Sequence, residues 1–158
     1  VAQAIGAGTL DAARRLGWNG TYLALAIALA MGSAIYLARA EVIGLYTGNA
    51  VIAAAALPLL AWVALFHTAD AAQTMVAFVL RAWRIATLPT VIYVVALWGV
   101  GLGGGYVLAF DPWQAWPATL HGARGYWIAA TAGLLVAAVA LTALLATLMR
   151  QQARRPAG

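Results

Sequence analysis

GYWIAATAGLLVAAVALTALLATLM, residues 125–149, is a run of 25 residues without a single charged side chain. About 20 apolar residues, each adding about 1.5 Å of helix rise, cross the roughly 30 Å hydrocarbon core of a bilayer. The stretch therefore reads as a membrane-crossing helix. Working outward from it, three more charge-free runs cover residues 85–110, 42–69 and 16–38. The run that ends before Asp70 resumes as apolar sequence from Ala71 to Leu80 and stops only at Arg81. The pattern predicts an all-α membrane protein with four transmembrane helices, over about 19–38, 50–80, 86–109 and 125–149.

Composition agrees. The chain has 158 residues, 65% hydrophobic and 8% charged, with a mean hydropathy of +0.90. A soluble domain carries about a quarter charged residues, so the solvent expected for these helices is lipid. The net charge of +5 arises from nine arginines against Asp11, Glu41, Asp70 and Asp111. The arginines stand at the ends of apolar runs rather than on one amphipathic face, which argues for topological markers and against nucleic-acid binding. There is no cysteine, so disulfides, thiolate metal sites and cysteine nucleophiles are excluded. With two histidines, metal chemistry and catalysis are not expected.

If four spans alternate in direction, Arg14, Arg15, Arg81, Arg84, Arg150, Arg154 and Arg155 share one side, and Arg39 and Arg124 the other, 7 against 2. The positive-inside bias puts the richer side, with both ends of the segment, in the cytoplasm of a bacterial inner membrane. Trp113, Trp116, Tyr126 and Trp127 then fall at the outer boundary, where aromatic rings are favoured. Residues 1–18 read as the end of a preceding helix plus a cytoplasmic loop, 19–149 as the four-helix body, and 150–158 as a frayed cytoplasmic tail. The chain opens at Val1 without a leader-like segment and reads as the tail of something longer.

One carboxylate lies inside the spans. Asp70 is about 16 Å of helix from Arg81, close to mid-membrane. A charged group there costs about 2.5–3.5 kcal/mol on insertion scales, which makes Asp70 the candidate functional residue; the alternative is a protonated acid hydrogen-bonded to a neighbouring helix. Positions three and four removed on a helix share a face, and around Asp70 these are Phe66, His67, Gln73 and Thr74. Such a polar stripe must face protein or water and could line a cavity. His67 would titrate as a unit with Asp70 if the two face each other. Pro58 removes a helix hydrogen bond and predicts a kink, whether hinge or inert geometry. The glycines of residues 99–105 have no strand or lysine beside them for a phosphate loop and suit close helix packing or local bending.

Gly6-Ala-Gly with Ala13-Arg-Arg15, Thr68-Ala-Asp-Ala-Ala-Gln73 with Leu80-Arg81, Leu97-Trp-Gly-Val-Gly-Leu-Gly-Gly-Gly-Tyr-Val-Leu-Ala109 and Gly125-Tyr-Trp127 occur in an order that resembles the C-terminal half of multidrug and toxic compound extrusion (MATE) transporters of the NorM-like branch. The resemblance implies a twelve-helix, two-lobe antiporter exporting cationic or amphipathic drugs in exchange for sodium ions or protons, with the spans here as helices nine to twelve. It assigns the coupling cation to Asp70, followed by Gln73 as in the family pattern, with Phe66, His67, Gln73 and Thr74 supporting the site or lining the substrate cavity. The sequence departs from the pattern at Ala82, where the family has glycine, and at Trp83-Arg84-Ile85. No cofactor is implied beyond Na+ or H+, and the partners implied are the bilayer, the remaining transporter helices and cationic drugs.

Two readings compete with transport. The four helices could form a small structural or assembly subunit, or a haem-bearing redox subunit. The latter would need paired intramembrane histidines; only His67 qualifies, because His121 falls in a loop.

Overall fold

Gly8 turns the chain with φ +74° between a one-turn helix, α1 (Ala2–Gly6), and a long one, α2 (Leu10–Leu37). The computed structural model describes residues 1–154. Arg155–Gly158, the end of the expected tail, lie outside the described residues. After α2 come α3 (Arg39–Tyr46), α4 (Ala50–Ala56) and α5 (Leu59–Ala82). The next span is composite: α6 (Thr87–Tyr93), a π-helical stretch (Val94–Gly103) and α7 (Gly104–Phe110). A short 3₁₀ turn, Ala118–Leu120, leads into α8 (Ala123–Arg154). Among the described residues, Leu10–Leu37, Leu59–Ala82, Thr87–Phe110 and Ala123–Gln152 are long and apolar enough to cross a membrane.

The number of spans agrees with the sequence reading, but several boundaries move. The first helix starts at Leu10 instead of 19, because nothing between Leu10 and Trp18 breaks a helix and Arg14 and Arg15 can reach the interface by snorkelling. The span expected over 50–80 is divided. Pro58 has no amide hydrogen to continue the ladder, so α4 ends at Ala56 and α5 begins at Leu59. Asn49 starts α4 by accepting from the amides of Val51 (2.9 Å) and Ile52 (3.3 Å). Residues 150–154, expected to fray, extend α8.

The four spans run antiparallel in sequence order. A Cβ on Gly17 would lie 3.0 Å from Val79, and one on Gly32 would lie 3.1 Å from the Ala64 carbonyl, so opposite ends of α2 meet opposite ends of α5. At one end of α5, Phe66 meets Trp127 of α8; at the other, Val76, Val79 and Leu80 form a core with Leu141, Leu145 and Met149. This core is closed by Trp18, Trp83 and Ile92. Away from it the surface is apolar: Tyr22, Leu23, Ile27 and Met31 of α2 are each more than half exposed. A surface of that kind suits hydrocarbon.

Arg84 takes φ 60° at the end of α5. Its amide bonds the Arg81 carbonyl (2.9 Å) and the next amide, Ile85, bonds Leu80 (3.0 Å), the paired closure of a left-handed C-cap in which glycine is the usual occupant. At the other membrane face Asp111 ends α7 with φ 42° and organises the following loop. Its carboxylate accepts from the amides of Ala115 (2.8 Å) and Trp116 (3.3 Å) and lies 3.3 Å from His121 Nε2. Burial acts to raise the Asp111 pKa, but the two amides and the imidazole outweigh it and hold the carboxyl below its ordinary value.

Small residues set the spacing of α8 and the composite span. A Cβ on Gly133 would stand 2.7 Å from the Ala96 carbonyl and 3.0 Å from the Gly101 backbone, whereas one on Gly99 would meet nothing within 4 Å. Gly133→Val is therefore expected to cost about 1–3 kcal/mol or more through overpacking, read as a fall in thermal midpoint in detergent, while Gly99→Val leaves the midpoint near wild type.

The depressed Asp111 pKa fixes a second outcome. The ionised form stabilises the loop, so that contribution is complete above about pH 4, the ordinary carboxylate range, and is lost as pH falls through the lower folded value. Protection of the Ala115 and Trp116 amides from hydrogen exchange, measured against the intrinsic rate at each pH, should be high at neutral pH and fall only below that range, and Asp111→Ala should lack it throughout.

Candidate functional site

Asp70 and its neighbours are distributed around α5 by helix geometry. At about 100° per residue, Phe66 and Gln73 fall on one flank of Asp70, and His67 and Thr74 on the other. The flank bearing Phe66 and Gln73 faces a cavity of about 380 Å³ between α5, the π-helical stretch and α8. Asp70, Phe66 and Gln73 line it from one side, Leu97, Gly101 and Leu102 from the second, and Tyr126, Ala130 and Leu134 from the third.

The polar contacts are few and short. Gln73 is 6% exposed. Its Nε2 donates to Asp70 Oδ1 at 2.9 Å and to Thr74 Oγ1 at 2.9 Å, so the amide bridges the two flanks. The other half of that amide, Gln73 Oε1, is buried and accepts from no protein donor among the described residues. Tyr93 on α6 donates its hydroxyl to the Gln73 backbone carbonyl at 3.4 Å, tying the composite span to α5 at this level. A buried acceptor without a donor is costly, and here it sits one helical turn from a carboxylate.

The structure thus brings together Asp70, Gln73, Thr74 and Phe66 and leaves His67 out. No hydrogen bond or ion pair joins His67 to Asp70 among the described residues, and His67 does not line the cavity. The carboxylate bonds Gln73, which lies on the flank away from the imidazole. Pro58 stands at the break before α5, outside the cavity.

Sequence reasoning missed the opposite walls. Tyr126 and Trp127, read as boundary aromatics, also pack inward: Trp127 meets Phe66 edge-on at 5.7 Å between ring centres, and Tyr126 closes on Gly105, where a Cβ would stand 2.6 Å from the ring. The glycines of 99–105 were the available signal. They fall in or next to π-helical backbone and permit close packing, as Gly101 does against Ala130 and Gly105 against Tyr126.

A larger groove, about 500 Å³, lies between α2 and α5 and is lined by Leu29, Gly32, Tyr36, Ala64, Leu65 and Thr68 among others. It holds no carboxylate, imidazole or guanidinium, and it occupies the side of α5 away from Asp70. Size alone does not make it the site of chemistry. Among the described residues, no three His, Cys, Asp or Glu side chains converge as a metal cluster would require.

Comparison with known proteins gives a consistent result. The MatE family model matches residues 1–107. A probable multidrug resistance protein NorM from Chromobacterium violaceum is 31% identical over 97% of this chain and 32% of its own length. A probable NorM from Halalkalibacterium halodurans is 34% identical over 93% of the chain and 31% of its own length. The multidrug resistance protein PmpM of Pseudomonas aeruginosa is 32% identical over 96% and 31% respectively. The chain spans about a third of the length of the curated relatives it matches.

The Gln73 bridge can be tested directly. Gln73→Leu is expected to lower unfolding stability by about 1–3 kcal/mol, because Asp70 loses its protein donor in a dry environment. Infrared spectroscopy should register the altered Asp70 carboxyl band while circular dichroism stays helical.

Proposed function

The chain belongs to the MatE family, and from that premise we propose that it carries the coupling-cation site of a multidrug efflux antiporter, with Asp70 as the cation-binding residue. The observation that supports this most is one carboxylate midway along an apolar, span-length helix, in a cavity, bonded to the amide of Gln73 and one turn from an acceptor oxygen with no donor among the described residues. Intramembrane acids that face a cavity typically mark ion or proton pathways.

Asp70 Oδ, Gln73 Oε1 and Thr74 Oγ1 are hard oxygen donors, the type that holds Na+. The same carboxylate can carry a proton instead. In either case, loading neutralises Asp70, and unloading leaves a charge in a low-dielectric cavity that a cationic drug can neutralise in turn. Competition of the two cations for one charge is the coupling: each disfavours the other by the same free energy. Phe66, braced edge-on by Trp127, offers a ring face to an amphipathic cation. Tyr126, Leu97 and Leu102 provide the apolar wall. His67, off the cavity, is left a packing role beside the site.

The arginine bias of 7 against 2, combined with antiparallel spans, supports an orientation with both ends of the chain in the cytoplasm of an inner membrane. The cavity then lies between the faces, as alternating access needs.

In the full-length protein, Asp70→Asn is expected to reduce efflux of a fluorescent cation from cells to background while the protein still reaches the membrane in normal amount. Wild-type-like efflux by that variant would overturn the proposal. Efflux at fixed pH with and without sodium separates the two coupling ions: dependence on sodium assigns Na+, and indifference to it together with dependence on the pH gradient assigns H+.

A further inference from the structure

At the arginine-rich membrane face, the start of α2 and the end of α8 enclose a recess of about 350 Å³, lined by Asp11, Arg14, Arg15, Trp18, Asn19, Met149 and Arg150. Transport chemistry at Asp70 makes no use of it. Three guanidinium groups against one carboxylate give the recess a formal charge of +2.

The three arginines are not equivalent. Arg14 is held in place, donating to the Asp11 carboxylate and to the Met149 carbonyl at 3.4 Å. Its side chain is 27% exposed, against 75% for Asp11. Arg15 and Arg150 make no ion pair among the described residues and stand exposed at the rim. A fixed guanidinium with two unengaged ones beside it matches a tetrahedral oxyanion, which can take paired N–H donors from several sides. Topological arginines need only be in water; these three surround a concavity.

The remaining lining says more about the ligand. Trp18 stacks on Tyr22 at 5.9 Å, and Tyr22 and Leu23, 62% and 63% exposed, continue along α2 toward the membrane interior. An aromatic ring at the boundary with an apolar track beyond it is the arrangement an acyl chain follows below its headgroup. Asn19 adds an amide at the rim.

We propose that this recess binds a phosphate-bearing anion, the headgroup phosphate of an anionic phospholipid or free phosphate, gripped by Arg14, Arg15 and Arg150. The site does not depend on the transport assignment, since its residues and its test are separate from Asp70.

The test is native mass spectrometry of the full-length protein released from detergent micelles, titrated with phosphatidylglycerol, with phosphatidylcholine and, separately, with inorganic phosphate. Phosphatidylglycerol adducts should be retained in preference to phosphatidylcholine. The double variant Arg15→Gln/Arg150→Gln should weaken that retention by roughly tenfold or more, as expected for two surface charges. Arg39→Gln/Arg124→Gln, on the opposite face, should leave it unchanged. Should the first double variant fail to fold, Asp11→Asn decides the matter with the opposite sign, because removing the one carboxylate should strengthen retention by about fivefold. Displacement of phosphatidylglycerol by millimolar inorganic phosphate would assign the site to the free anion, and persistence of the lipid would assign it to the headgroup. Equal retention of both lipids, or retention insensitive to all of these arginine and Asp11 changes, would overturn the proposal.

Discussion

Hydrocarbon offers no hydrogen bonds, so each backbone amide between the two membrane faces must be satisfied within the protein. This constraint governs the rest of the molecule. It makes the four spans helical, carries α2 unbroken from Leu10 to Leu37, and confines the turns at Gly8, Arg84 and Gln114 to the ends of spans. It also decides how a span may deviate. The composite span keeps its amides bonded by shifting to π-helical pairing, and the proline break at Pro58 comes before α5 begins.

Once lipid is the solvent, apolar surface no longer drives helices together, and close backbone approach takes over. The contacts of α8 illustrate this. Gly133 against Ala96 and Gly101, and Gly125 against Leu120 and Ala109, are places where one added carbon would collide with backbone. Those approaches hold the composite span near enough to α5 for Tyr93 to reach the Gln73 carbonyl and for Leu97 and Leu102 to wall the Asp70 cavity. The site is thus positioned in part by Gly125 and Gly133, which are not in its lining.

Legibility followed the same physics. Spans and their count could be read because 20 or so residues with few or no charges mark a crossing helix, and Asp70 stood out because an acid there conflicts with its surroundings. Its helical neighbours Phe66, Gln73 and Thr74 followed from spacing. What spacing could not supply was direction: His67 and Gln73 are both one turn from Asp70 on opposite flanks, and only the packing of α5 against the composite span and α8 decides which flank faces the cavity. Contacts between distant helices were equally hidden, so Tyr126 and Trp127 carried a membrane-boundary signature although Tyr126 also lines the cavity and Trp127 packs on Phe66. Helix ends shifted for a simpler reason. Arginine stops hydrocarbon but does not stop a helix, as the start of α2 and the extension of α8 demonstrate.

The π-helical stretch acts geometrically as a gear. Its amides pair one residue further along the chain than in an α-helix, so the segments on either side, α6 and α7, are phased differently about the span axis from what continuous α-helix would give. Any exchange between the two pairings with the ends held would turn one segment against the other. Leu97, Gly101 and Leu102 lie within that stretch and face Asp70; a change in backbone pairing is there a change in which side chains the carboxylate meets.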